Sequence, residues 1–244
     1  MVVKVLGSSS RGNCYVLDNG SEAMIIECGV KFLEVKKALG FQLKRVACCL
    51  VTHRHSDHSR SLRDIVSWGI KSLALDDVWN ELGIYRGRNV IAIKPGQGYK
   101  FGNFKVLPFQ ALHDVPCVGY LIEHPEMGRM MFLTDSYTCE YTFPGLNHVF
   151  IECNYSDPDL LRAINDGRTM AAQRARLMTS HMELGTCKEV LRKNDLSQVS
   201  NIVLLHLSND NSDAQRFVAE IQGLTGKCVY VARPGLTIDM TKIC

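Results

Sequence analysis

The apolar residues of this chain come in short runs broken by turn-forming residues, and that segmentation limits the fold more than any other feature. Runs of three to six residues fall at 2–6, 14–17, 23–26, 46–51, 72–75 and 90–93, then at 104–109, 118–123, 130–134, 149–152, 202–205, 229–231 and 236–239. Each is short for a helix and rich in Val, Ile, Leu and Phe, which reads as a strand. Amphipathic stretches between them predict helices. Those over 32–39 and 61–68 stop at Gly40 and Gly69, suited to the left-handed turn that follows a helix. Asp157 and Pro158 read as an N-cap and a first-turn proline opening a helix to about residue 165, and 183–193 and 213–222 supply two more. Strands this numerous, several spaced as hairpins, predict an α+β chain with two helix-covered sheets instead of one parallel sheet. At 244 residues, with neither linker nor repeat, one domain over residues 1–244 is expected.

One of these strands ends on unusual chemistry. Leu50-Val51-Thr52 runs into His53-Arg54-His55-Ser56-Asp57-His58, which places three of the chain's eight histidines and an aspartate within six residues. Imidazole and carboxylate are the nitrogen and oxygen donors of zinc, manganese and iron sites. Residues 53 and 55 can face one way from an extended turn while 57 and 58 face a second point, so one tight loop can serve two metals. A polar surface loop does not account for such crowding directly after an apolar strand.

This H-x-H-x-D-H pattern resembles the metallo-β-lactamase superfamily, and the resemblance can be followed across almost the whole chain. It implies a four-layer αβ/βα sandwich with a binuclear metal site along one edge of the two sheets. It also implies the remaining ligands: His113 in Phe109-Gln110-Ala111-Leu112-His113, Asp135 in Phe132-Leu133-Thr134-Asp135, and His206 in Leu204-Leu205-His206. By the resemblance His53, His55 and His113 hold one divalent ion and Asp57, His58 and His206 the other, with Asp135 shared. Zinc is expected and manganese is compatible with the ligand set. His124 and His148 fall outside the pattern and read as surface or structural. One departure stands out: where the family has an aspartate supporting the metal loop from behind, this chain has Glu27, in Ile25-Ile26-Glu27-Cys28-Gly29. Two metals sharing a carboxylate lower the pKa of a bridging water and so provide a hydroxide nucleophile near neutral pH. β-Lactams, thioesters, lactones and phosphodiesters all suit that chemistry.

Two further elements resemble the ribonuclease-Z-like branch and point to phosphodiesters. Ser180-His181-Met182-Glu183 resembles its histidine element at a helix start, and Ile151-Glu152-Cys153-Asn154 its glutamate motif. The resemblance implies that Glu152 orients His181 and that His181 protonates the leaving oxygen or binds the phosphate, with Asp57 on the metals. Such a pair makes physical sense, because a departing alkoxide needs a proton and a carboxylate keeps an imidazole charged and aimed. Gly7-Ser8-Ser9-Ser10-Arg11-Gly12-Asn13 resembles the same branch, bacterial exonuclease-like members included. It makes Ser8, Arg11 and Asn13, with Asn154 and Ser208, candidate substrate-binding residues. A plain hairpin turn accounts for the same loop equally well. Arg162, Arg168, Arg174 and Arg176 precede His181 and either steer an anionic substrate or form a solvated helix face.

What the chain lacks narrows the substrate. Only 22 positions separate His113 from Asp135 and 71 separate Asp135 from His206, leaving no room for the tRNA-gripping arm or the added nuclease domain of larger relatives. The net charge of +3 is too small to coat a nucleic acid. Compact chains resembling this one include phage phosphodiesterases that open cyclic mononucleotides. The expectation is therefore a binuclear metal-dependent phosphodiesterase acting on a cyclic nucleotide or a small nucleic-acid substrate, the former slightly favoured. The alternatives are a DNA or RNA exonuclease and a lactonase or thioesterase. The ten cysteines form no C-x-x-C pair and read as buried, reduced thiols. No secretory signal and no apolar stretch of about 18 residues is present, so a cytoplasmic, non-membrane protein is expected, phage- or mobile-element-encoded and homodimeric by the resemblance.

Overall fold

The computed structural model describes residues 1–85 and 87–242; Cys244, counted above among the thiols, lies outside them. The first half lays down strands β1 (Val2–Gly7), β2 (Cys14–Asp18), β3 (Ala23–Ile26), β4 (Val46–Leu50), β5 (Ser72–Ala74) and β6 (Val90–Ala92), with helices α1 (Phe32–Ala38), α2 (Ser56–Ser59), α3 (Leu62–Ser67) and α4 (Asp76–Glu81). The second half lays down β7 (Tyr99–Phe101), β8 (Phe104–Ala111), β9 (Cys117–His124), β10 (Gly128–Leu133), β11 (His148–Glu152), β12 (Asn201–Leu205) and β13 (Cys228–Val231). Its helices are α5 (Asp157–Asn165), α6 (Ala171–Ser180), α7 (Leu184–Lys193) and α8 (Ala214–Thr225), and β14 (Thr237–Asp239) closes the chain.

Two seven-stranded sheets result, ordered β14-β1-β2-β3-β4-β5-β6 and β13-β12-β11-β10-β9-β8-β7. Each begins as an antiparallel meander and continues as parallel strands, from β3 to β6 in one and from β10 to β13 in the other. The final strand crosses back to pair with β1. Strands β2, β3, β11 and β12 are buried on both faces, which explains why they read as continuous apolar runs. Val3, Leu17, Met24 and Leu50 of one sheet meet Phe104, Tyr120, Phe132, Phe150 and Leu205 of the other in the central core. On the outer faces Val35, Leu62, Ile65 and Val78 cover Ile25 and Cys49, while Val190, Leu191, Phe217 and Ile221 cover Ile151, Ile202 and Leu204. The layering is helix, sheet, sheet, helix, as expected.

Local signals mostly fall where the sequence put them. Gly40 and Gly69 take positive φ after α1 and α3, where a side chain would be strained. The cap of α5 is Ser156, one residue before the expected Asp157, because the Ser156 hydroxyl reaches the Asp159 N–H. His181 does not open a helix: it closes α6, and α7 starts at Leu184 with Glu183 as its cap. Short β7, α4 and α6 carry no periodicity that the sequence could show. His124 and His148 are both buried, against Glu22 and the Met240 carbonyl respectively. All described cysteines are free, and all but Cys228 are buried. No helix among the described residues is long and apolar enough to cross a membrane.

Candidate active site

The ends of five strands meet at one edge of the sandwich. The loop after β4 brings His53, His55, Asp57 and His58; β8 leads to His113, β10 to Asp135, β11 ends on Glu152 and β12 leads to His206. Ligand atoms of His53, His55 and His113 lie within 4.8 Å of one another, and so do those of Asp57, His58, Asp135 and His206. Asp135 faces both groups, with Oδ2 at 2.5 Å from His58 Nε2 and 3.6 Å from His53 Nε2. All seven residues predicted from the sequence as ligands are thus brought together. Asp135 and His206 hold left-handed backbone angles, with φ at 48° and 54°, as does Glu27 at 62°. Three such non-glycine residues around one site mark stored backbone strain.

The imidazoles are held from behind. Thr52 Oγ1 lies 2.9 Å from His53 Nδ1, the Ser180 carbonyl lies 2.8 Å from His113 Nδ1, and Glu27 Oε2 lies 3.4 Å from His58 Nδ1. A proton kept on each Nδ1 leaves the Nε2 lone pair facing inward. His55 turns the other way, its Nδ1 lying 3.0 Å from His53 Nε2 and 3.4 Å from His113 Nε2. Glu27 also takes the Thr52 N–H on its other oxygen at 3.3 Å, so the longer side chain spans to the loop that the family's aspartate supports. Gly29 lets that loop close, since a methyl there would overlap the Asp57 carbonyl. Thr52 and the Ser180 carbonyl escaped the sequence reading. A residue beside a ligand and a backbone acceptor have no pattern of their own.

Charge in the site is unbalanced in a way that a cation relieves. His206 Nε2 and one oxygen of Asp135 are buried without a hydrogen-bond partner. Burial pushes the His53 imidazole well below its usual range, which keeps it neutral and able to coordinate. Burial also opposes charge on His58, but Asp135 and Glu27 overcome it and hold that ring well above its usual range. Clustered neutral and anionic donors with orphaned buried atoms fit two divalent metals, and the N/O set is of the kind that zinc, manganese or iron accepts.

Beside these donors, Glu152 is fully buried and its Oε1 lies 2.6 Å from His181 Nδ1. Its Oε2 accepts the N–H groups of Ser136 at 2.8 Å and Met182 at 3.3 Å, so the carboxylate cannot swing away. Burial disfavours the His181 cation, yet Glu152 and Asp135 outweigh it and raise the pKa to about 10. Asp135, Glu152, His181 and His206 also have ligand atoms within 4.8 Å of one another, so this pair stands at the edge of the metal cluster.

The pocket over the site holds about 290 Å³ and is lined by Ser10, His55, Ser56, Asp57, His113, Asp135, Arg176, His181 and His206. Of the four arginines singled out in the sequence, Arg176 reaches it and pairs with Asp114 at 3.5 Å. Arg162 and Arg168 instead pair with Asp159 and Asp166. Asp114, missed in the sequence, lies 3.0 Å from His113 Nε2 and so sets a carboxylate beside two of the lining residues, His113 and Arg176. Asn13 and Asn154 are buried and point at the protein: Asn13 Nδ2 lies 2.9 Å from His58 Nε2, and Asn154 Nδ2 donates to the His206 carbonyl at 2.7 Å. Ser8 Oγ accepts the His206 N–H at 3.0 Å, and the Ser208 N–H donates to the Asn154 carbonyl at 2.9 Å. Arg11 is exposed on the loop between β1 and β2.

Comparison with known proteins agrees with this geometry. The metallo-beta-lactamase superfamily model matches residues 9–128. The chain is 23% identical over 222 residues to "Exodeoxyribonuclease YycJ" of Bacillus anthracis, covering 85% of this chain and 83% of that one. Among solved structures it is similar to the metallo-beta-lactamase fold protein YhfI from Bacillus subtilis, with TM-score 0.74 and 15% identity over 97% and 98% of the two chains. A diphosphatase from the PhnP family superposes with TM-score 0.66 and 16% identity over 100% and 98%. The short form of human tRNase Z superposes with TM-score 0.62 and 15% identity over 98% and 99%.

Proposed function

Because the chain carries a metallo-beta-lactamase superfamily domain, we propose that it is a metal-dependent phosphodiesterase, folded as one domain over residues 1–244 and acting on a cyclic nucleotide or a small nucleic-acid substrate. The observation that carries the reading is the Glu152–His181 contact of 2.6 Å beside the His/Asp cluster. Ester, thioester and lactone hydrolysis can proceed without such a fixed proton donor, whereas a nucleoside alkoxide leaves a phosphodiester only slowly unless protonated. The names of the relatives, an exodeoxyribonuclease, a tRNase and a diphosphatase, lie on the same side.

His53, His55 and His113 would hold one ion and Asp57, His58 and His206 the other, with Asp135 between. Two divalent ions there supply a water of lowered pKa and a Lewis-acid clamp on the phosphoryl oxygens. The protein's own part is positional. Glu152 keeps the Nδ1 proton of His181 in place and the ring cationic at neutral pH, which leaves Nε2–H to donate to the departing oxygen. Asn13 and Glu27 brace the loop that presents Asp57 and His58.

The test is a panel of bis-p-nitrophenyl phosphate, 2′,3′- and 3′,5′-cyclic nucleotides and short linear oligonucleotides, each with zinc and with manganese. Turnover that requires metal is expected on at least one phosphodiester. Metal-loaded protein inert toward every one of them would overturn the reading. Ester turnover surviving His181→Ala would point to the lactonase or thioesterase alternative.

A further inference from the structure

Next to the metal pocket lies a larger cavity that the proposed reaction leaves unused. It holds about 520 Å³, and its walls come from Ser8, Ser9 and Arg11 of the first hairpin loop, Ser208 and Asn209 after His206, and Arg233 in the turn between β13 and β14. The two spaces share one partition. Ser10 faces the metal pocket while its neighbours Ser9 and Arg11 face the cavity, and Ser208 lies two residues beyond His206. The cavity thus adjoins the metal pocket across the Ser9–Arg11 segment.

The chemistry of the lining selects what enters. Among the described residues Arg11 and Arg233 are the ionisable groups that line it, and no carboxylate does. Among the described residues neither guanidinium makes an ion pair or a side-chain hydrogen bond. Ser8, itself buried, accepts from both the Tyr15 hydroxyl and the His206 N–H, which leaves its own proton to donate. Leu6, Val30 and Val231 add an apolar side that suits a sugar or a base. Two unpaired guanidiniums and free hydroxyl donors match a phosphate dianion, and a neutral base would leave both charges unanswered. A cyclic mononucleotide has one phosphate, which the metals would take.

We propose that Arg11 and Arg233 form a second phosphate subsite, so that the preferred substrate is a linear oligonucleotide end carrying a phosphate next to the scissile diester. This rests on the phosphodiesterase reading above and sharpens it from phosphodiesters in general to linear ones. The +3 net charge did not reveal the subsite because two arginines about 220 residues apart in sequence line one cavity only in the fold.

The experiment compares thymidine dinucleotides bearing a 5′-phosphate, a 3′-phosphate or neither, with metal-loaded wild type and the Arg233→Ala and Arg233→Glu variants. For one of the two ends, wild type is expected to show kcat/KM at least tenfold higher with the phosphate than without, carried mainly by KM. That ratio should fall to near one in Arg233→Ala and below one in Arg233→Glu, while a Lys at 233 restores part of it. Calorimetric binding of the same phosphorylated dinucleotides, made with a methylphosphonate linkage that resists cleavage, should show the same order. A wild-type ratio near one at both ends, or a ratio that survives Arg233→Glu, overturns the subsite. Absence of turnover on every diester refutes the phosphodiesterase reading instead, and the binding series then decides the subsite by itself.

Discussion

Glu27→Asp isolates a place where this chain departs from the superfamily pattern that it resembles. Glu27 Oε2 stands 3.4 Å from His58 Nδ1, and Oε1 accepts the Thr52 N–H at 3.3 Å. Removing one methylene withdraws the carboxylate by about 1.5 Å, the length of one carbon–carbon bond. Both contacts then fall beyond hydrogen-bond range. The backbone is not a second cause of change, because φ at Glu27 is 62° and aspartate tolerates that region at least as well as glutamate. Loss of a partner that orients a ligating histidine costs about 10–100-fold in metal affinity, or about 1.4–2.7 kcal/mol. The loss should be selective. The ion held by Asp57, His58 and His206 should weaken, while the one at His53, His55 and His113 should change less than a few-fold, since Thr52 and Ser180 still hold those rings. Chelator competition, with elemental analysis of each variant, separates the two sites. Glu27→Gln, which keeps the length and loses the charge, should fall between wild type and aspartate. Two wild-type affinities in Glu27→Asp would refute the claim that this side chain orients the metal loop.

Other expectations follow from the same contacts. His181→Asn and Glu152→Gln should each lower kcat on diesters with alkoxide leaving groups by about 10²–10⁴-fold. With p-nitrophenolate, which leaves without a proton, the loss should be at least tenfold smaller; equal losses on both would place His181 outside proton transfer. Stripping metal with EDTA should lower the melting temperature, because it leaves the orphaned atoms of Asp135 and His206 unanswered. Each ion at about 100 times its Kd contributes about 2.7 kcal/mol, so losing two lowers the midpoint by about 10–20 °C for a chain of this length, and calorimetry reads the shift. Away from the site, Asp18 takes both arms of Arg45 together with Lys4. Burial raises the Asp18 pKa, but these cations outweigh it and hold the carboxyl well below the usual carboxylate range. Its folded value is depressed, so its stabilisation is full above about pH 4 and fades as pH falls further. Asp18→Asn should cost about 2 kcal/mol at pH 7, and in urea unfolding the gap to wild type should narrow only below about pH 4.

The strands and the metal loop were legible in the sequence because each is local. Apolar runs mark β1 to β6 and β8 to β14, and His53 to His58 lie on one short segment. His113, Asp135 and His206 were legible for a different reason, as single residues after apolar strands that match a family's order. The rest depends on three-dimensional neighbours. The structure brings Asp114 beside Arg176, turns Asn13 and Asn154 toward the protein, and places Arg233 and Arg11 on one cavity. No spacing rule encodes these, because the partners are brought together only by the fold. The shifted cap at Ser156 and the missed α6 show the other limit: α6 buries too little apolar surface to leave a periodic stripe.

The donors come from both sheets, and the last of them, His206, is supplied only after β12 has been laid down. A ribosome-bound chain that has not yet emitted β12 can assemble the His53–His55–His113 group but has no complete second one. Nor can β14 seal the edge of β1 until residues 237–239 have followed. In the proposed two-metal site the second group of donors is therefore complete only once β12 has paired beside β11.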